Sequence, residues 1–124
     1  MNIGVLGTGV VGNTIGAKLV DLGHHIMMGS RSAMNQKAAE FVKHTGSRAS
    51  HGTFAEAAAF GEILFNCTKG DAVIEMLEMA RAENMNGKIL IDISNPLDFS
   101  KGMPPTLSSM NSYARAVIFF FSIA

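Results

Sequence analysis

Apolar residues in this chain fall into short runs separated by stretches with helical spacing. Ile3-Gly4-Val5-Leu6 is a run of strand length. It is followed by Gly7-Thr8-Gly9-Val10-Val11-Gly12, and then by Val11, Ile15, Leu19 and Leu22 at the spacing of one helix face, closed by Gly23. A second apolar run, Ile26-Met27-Met28, ends in Gly29-Ser30-Arg31-Ser32. Strand, glycine turn, helix and strand in that order make a βαβ unit.

The alternation continues. Residues 32–43 read as a helix with Ala33, Phe41 and Val42 among its buried positions and with Ser32 as its N-cap. Residues 44–52 are polar and turn-rich, enclosing a weak third strand around Arg48-Ala49-Ser50. The histidines 24, 25, 44 and 51 are isolated and read as surface residues. Thr53-Phe54-Ala55-Glu56-Ala57 reads as a short capped helix leading to Gly61, and residues 62–67 as the fourth strand. Residues 70–84 carry Val73, Ile74, Leu77 and Ala80 as an apolar stripe, with Glu75, Glu78 and Arg81 on the solvated side. Met76, Met79 and Met85 fit packing or interface positions. Asn86-Gly87 signals a turn, residues 88–93 form the fifth strand, and Ser94-Asn95-Pro96-Leu97-Asp98 follows at its carboxyl end. The pattern predicts an α/β fold: a Rossmann-like doubly wound parallel sheet in a single domain, in the order 3-2-1-4-5 with helices on both faces.

Composition narrows the class. A chain of 124 residues is the size of one domain, and a hydrophobic content of 48% without Trp suits a buried parallel sheet. Ten basic and ten acidic residues cancel, which points away from nucleic acid or an anionic membrane as partner. One cysteine forms no internal disulfide, and no basic region precedes the first apolar run as in a signal peptide. A cytoplasmic protein is expected.

The glycine turn has chemical meaning in this context. Gly7 permits the tight turn out of the strand, Gly9 lets the backbone approach a pyrophosphate, and Gly12 removes a Cβ where helix crosses strand. The pyrophosphate would rest on amide groups at the positive end of the helix starting near Val10. The next strand end indicates which dinucleotide. NAD sites place a carboxylate there for the ribose 2′-hydroxyl, whereas an Arg suits a 2′-phosphate. No acidic residue lies between Asp21 and Glu40, while Ser30, Arg31, Ser32 and Lys37 do. A guanidinium grips phosphate through two hydrogen bonds, and the hydroxyls can donate to its other oxygens, so NADP(H) is the expected cofactor. A helix capped by Ser32 would aim a second N-terminus at the same phosphate. Cys67, Thr68 and Lys69, at the end of the fourth strand, border the cleft. Cys67 reads as a small buried cysteine, because no base can be assigned to it as a nucleophile.

Three segments together resemble a known family. Gly7-Thr8-Gly9-Val10-Val11-Gly12, Gly29-Ser30-Arg31-Ser32 and Ile91-Asp92-Ile93-Ser94-Asn95-Pro96-Leu97-Asp98 resemble the NADP-binding domain of F-420-dependent NADP oxidoreductases. Those enzymes pass a hydride between NADP(H) and a deazaflavin, and related metalloreductases reduce ferric and cupric ions. The resemblance covers residues 1–111. It implies that Gly7, Thr8, Gly9, Val10 and Val11 hold the pyrophosphate and that Ser30, Arg31 and Ser32 hold the 2′-phosphate. Thr68 and Lys69 would border a ribose, with Asn95 and Pro96 near the nicotinamide and its acceptor, a deazaflavin, flavin or metal ion. Asp92 is a candidate acid or base.

Family members continue into another helical segment, whereas residues 112–124 form an atypical apolar tail. The expectation is a sixth strand or a contact between chains that buries residues 116–121, in a homodimer. The alternatives are a non-catalytic NADP(H)-binding module and a truncated, inactive reductase.

Overall fold

The first apolar run becomes β1 (Asn2–Leu6), the central strand. The computed structural model describes residues 1–93, together with the backbone at 97–98 and 106–107. On one side of β1 lie β2 (His25–Ser30) and β3 (Ala49–Thr53); on the other lie β4 (Ile63–Asn66) and β5 (Ile89–Asp92). All four pairings are parallel and the order is β3-β2-β1-β4-β5, as the alternating pattern predicts. In register, Leu6 lies opposite both Gly29 and Asn66, so the three central strands end level. Between β3 and β4 the chain crosses over β1 to the other half of the sheet. The carboxyl end of β1 is therefore the switch point where such sheets bind ligands.

Successive strand residues face opposite sides, and two cores result. Ile3, Val5, Ile26 and Met28 pack with Val20 of α1 (Val10–Asp21) and with Ala38 and Phe41 of α2 (Gln36–Thr45). Leu6 and Leu64 pack on the other face with α3 (Phe54–Phe60), α4 (Val73–Ala80) and α5 (Ala82–Met85). Burial on both faces is why β1 reads as continuous apolar sequence. A Cβ at Gly4 would lie 2.5 Å from the Ala57 carbonyl oxygen, and one at Gly29 would lie 2.7 Å from the Ala57 Cβ. These glycines let α3 rest almost on the sheet backbone.

The caps explain where elements begin. Thr53 ends β3 and caps α3 directly: its Oγ1 accepts from the Glu56 amide at 3.1 Å, while Glu56 Oε1 accepts from the Thr53 amide at 3.2 Å. At the other end of α3, Lys88 Nζ donates to the Ala58 and Ala59 carbonyls at 2.6 and 3.2 Å. This cation on the negative helix end joins β5 to α3.

Several elements differ from the sequence reading. The face of α1 turned to the sheet is Gly12, Gly16 and Val20, while Val11 and Leu22 are 50% and 62% exposed. Close packing leaves no room for larger side chains there: a Cβ on Gly12 would meet the Gly7 carbonyl oxygen at 2.5 Å, and one on Gly16 would meet the Phe41 ring of α2 at 2.8 Å. Likewise α2 starts at Gln36 rather than at residue 32. Asn35 Oδ1 accepts from the Ala38 amide at 3.0 Å and is the cap, whereas Ser32 Oγ accepts from Met34 N–H within a turn. Ala33 is consequently exposed, although Phe41 is buried.

The single helix expected over 70–84 is divided into a 3-10 turn at Gly70–Ala72, then α4 and α5. The break is Arg81, whose φ of 69° is rare for a residue with a Cβ. It redirects the chain so that Met85 is buried in the α3/α4 core. His25 and His44 are exposed as expected, but His24 and His51 are half-buried. His24 Nδ1 lies 3.1 Å from the terminal ammonium, and His51 packs with Nδ1 unpartnered among the described residues. A two-stranded antiparallel pair, β6 (Leu97–Asp98) with β7 (Thr106–Leu107), was not anticipated. The expectations for Asn95, Pro96 and the tail at 112–124 lie outside the described residues.

Gly4→Ala should destabilise the fold by about 1–3 kcal/mol, because the new methyl group is forced against a carbonyl in a packed core. The urea midpoint should fall at unchanged slope. An unaltered midpoint would contradict the close seating of α3 on β1.

Candidate cofactor-binding site

Level strand ends bring three loops together at the switch point. In the first, Gly7 has a φ of 131°, and its amide donates to the Gly29 carbonyl at 3.0 Å, tying the turn to β2. A Cβ there would meet the Cys67 carbonyl oxygen at 2.8 Å, and one at Gly12 would meet the Gly7 carbonyl oxygen at 2.5 Å. Both positions are closed by backbone. Gly9 differs: its φ of −77° suits any residue, yet a Cβ there meets nothing within 4 Å. It is the N-cap of the twelve-residue α1 and carries no capping side chain. Open space therefore faces the free amide groups of the helix start, an arrangement that suits an anion. The packing roles inferred from spacing for Gly7 and Gly12 agree with these distances.

The second loop follows β2. Ser30 is buried, and its Oγ donates to the Ser32 carbonyl at 2.6 Å, so that hydroxyl proton shapes the loop. Ser32 is exposed and accepts from the Met34 amide at 3.1 Å, leaving its own proton to donate. Arg31 is exposed, but Nη2 lies 3.0 Å from Glu75 Oε2 in the first turn of α4. Glu75 is thus an ion-pair partner rather than only a solvated charge.

The third loop joins the ends of β4 and β5. Asn66 is fully buried. Its Oδ1 accepts from both the amide and the hydroxyl of Thr68, at 3.1 and 2.6 Å, and its Nδ2 donates to Asp92 Oδ1 at 3.1 Å. One carboxamide thereby fixes Thr68 and Asp92 together. Cys67 is half-buried, and its thiol is pushed up to about 11, chiefly by burial and then by the Asp92 charge. A thiol protonated at neutral pH is a poor nucleophile, in keeping with a structural cysteine. Lys69 is exposed just before the 3-10 turn.

A cavity of about 520 Å³ opens beside the glycine turn, between α1 and α2, with Thr8, Gly9, Asn13 and Lys37 in its wall. Its lining does not include Ser30, Arg31, Cys67 or Thr68, so it adjoins the strand-end cleft rather than filling it. Among the described residues no three His, Cys, Asp or Glu side chains are grouped to hold a metal ion, and no helix is long and apolar enough to cross a membrane.

Sequence reasoning missed Asn66 and Glu75. Asn66 did leave a signal, as an amide ending the apolar run Ile63-Leu64-Phe65, where burial demands partners. Glu75 left none, since its helical spacing is that of a surface residue.

Sheet order, glycine turn and uncapped helix end define a Rossmann-type dinucleotide-binding domain. The chain belongs to the coenzyme F420-dependent NADP oxidoreductase family, whose model matches residues 2–96. It is similar to a protein of Arthrobacter sp. FB24 provisionally assigned as an F420-dependent NADP-reductase: 40% identity, TM-score 0.85, covering 100% of this chain and 59% of that one. The chain thus spans about three fifths of that protein's length. An imine reductase of Streptomyces aurantiacus, 24% identical, has a TM-score of 0.70 over 97% of this chain and 38% of its own. Plasmodium falciparum pyrroline carboxylate reductase with NADP bound, 14% identical, has a TM-score of 0.58 over 98% of this chain and 54% of its own. These last two share the fold. No curated protein matches the chain.

Alkylation of Cys67 should stay slow at neutral pH and accelerate with a midpoint of about 11 rather than near the ordinary 9.0. Asp92→Asn should lower the midpoint only in part, because burial is the larger cause. Rapid alkylation at pH 7 would contradict this environment.

Proposed function

We propose that the chain is the NADP(H)-binding part of an oxidoreductase that transfers a hydride between NADPH and a deazaflavin, flavin or metal-ion acceptor. The observation that carries the reading is the open space above Gly9 at the uncapped start of α1. The nicotinamide supplies the hydride chemistry when bound, and the protein supplies position and electrostatics.

In this reading Gly7, Thr8, Gly9, Val10 and Val11 hold the pyrophosphate, and Gly12 keeps α1 close enough for its amides to serve. Arg31 and Ser32 take the 2′-phosphate, on a loop whose shape Ser30 maintains from within. Cys67, Thr68 and Lys69 border the cofactor on the far side of the glycine turn. Asn66 holds the Thr68 hydroxyl and the Asp92 carboxylate, which supports a positioning role for Asp92 over proton transfer. The family resemblance assigns the nicotinamide end and its acceptor to Asn95 and Pro96, which lie outside the described residues. The working form is a cytoplasmic homodimer. Exposed Ile89 and Ile91 on β5, an edge strand of the five-stranded sheet, support a subunit contact there.

Gly9→Val should abolish NADPH binding while circular dichroism stays unchanged, since the added side chain enters open space the pyrophosphate needs. Normal binding by that variant would remove the glycine turn from the site. The wild type should bind NADPH at least about ten-fold more tightly than NADH, a difference of roughly 1.4 kcal/mol. Arg31→Ala should erase most of that gap and leave NADH binding nearly unchanged. Equal wild-type affinities by calorimetry would defeat the NADP(H) assignment.

A further inference from the structure

The Arg31–Glu75 ion pair joins opposite halves of the sheet. Arg31 follows β2, whereas Glu75 lies on α4, which follows β4. Those strands flank β1 on its two sides, so the pair spans the switch point beside the glycine turn. The two side chains are 60% and 55% exposed and meet at 3.0 Å. Neither is locked by burial, and each can exchange its partner for a solute. The guanidinium is the cation already assigned to the 2′-phosphate. A phosphate dianion competes for the same forked donors as a carboxylate and carries more charge.

We propose that Glu75 is a specificity-determining residue of the cofactor site. Its carboxylate occupies Arg31 when no 2′-phosphate is present, and the 2′-phosphate of NADP(H) displaces it. This rests on the reading of Arg31 given above. NADH carries no group able to displace the carboxylate, so Arg31 stays paired while it binds. NADPH must break the ion pair and then places its phosphate near a released carboxylate. Glu75 therefore lowers NADPH affinity selectively, narrowing the preference that Arg31 creates. It also keeps the guanidinium from capturing other phosphates at the cleft mouth.

The test titrates NADPH and NADH into the full chain as wild type, Glu75→Gln, Arg31→Ala and the double variant, at low and at high salt. A surface pair is worth a factor of about 1.4 to 5 in an equilibrium constant, so Glu75→Gln should tighten NADPH binding by about that factor. NADH binding should stay constant, and the gain should shrink in the Arg31→Ala background and at high salt. Unchanged or weaker NADPH binding by Glu75→Gln would overturn the proposal; the weaker result would mean that Glu75 supports Arg31 in the complex. If that occurs while Arg31→Ala still loses the NADPH preference, only the role of Glu75 fails. If Arg31→Ala keeps the preference, the 2′-phosphate reading fails and this inference with it.

Discussion

Three backbone segments meet at the end of β1 with no room for a side chain between them. The Gly7 Cα faces the Cys67 carbonyl, and the Gly12 Cα faces the Gly7 carbonyl, so that a Cβ at either would lie within 2.8 Å of an oxygen. This contact sets how near α1 comes to β1, and hence how far its amide groups reach into the strand-end cleft. It also seats the loop after β4 against the glycine turn. The spacing of the first and last glycines is therefore a packing requirement, and only the middle one faces open space. A fold held this way presents an anion site made of backbone, whose geometry does not depend on side-chain rotamers.

The same contact shows why the strands were easier to read than the helices. A parallel strand buried on both faces must be apolar throughout, and Ile3, Val5 and Leu6 announce it. A helix seated on glycines carries few large residues on its inner face. Of the expected stripe of α1 only Leu19 packs against the core, beside Val20, while Val11 and Leu22 are exposed. The start of α2 depended on a competition between two caps, Ser32 and Asn35, that differ little in propensity. Structure decided it through the turn that Ser32 makes with Met34. The break at Arg81 carries no glycine or proline to mark it. It arises from the tertiary advantage of burying Met85, which local periodicity does not express.

Much the same division holds for the site. Backbone features, the glycine turn and the uncapped start of α1, were legible because they are encoded by residue type at fixed spacing. Arg31 stood out as a candidate through the missing carboxylate around it. Asn66 and Glu75 were not, since each acts across the sheet on a residue distant in sequence. Asn66 reaches Asp92 26 positions away, and Glu75 reaches Arg31 44 positions away. Pairings of that kind follow from strand order and register, so they become visible only once the sheet is assembled.

Electrostatics then assigns distinct tasks to the two kinds of anion contact. The chain has no net charge, so long-range attraction contributes little to capturing an anionic cofactor. Recognition must be local. The helix end attracts any pyrophosphate with a fractional charge fixed in place by hydrogen bonds. Arg31 instead offers a full but movable charge, and that charge is already balanced by Glu75. On the proposed reading, fixed backbone dipoles serve the group common to all dinucleotides, while an exchangeable ion pair serves the group that distinguishes one from another. An exchangeable pair can be retuned by one substitution without touching the packing at the end of β1, which is where discrimination between cofactors is best placed.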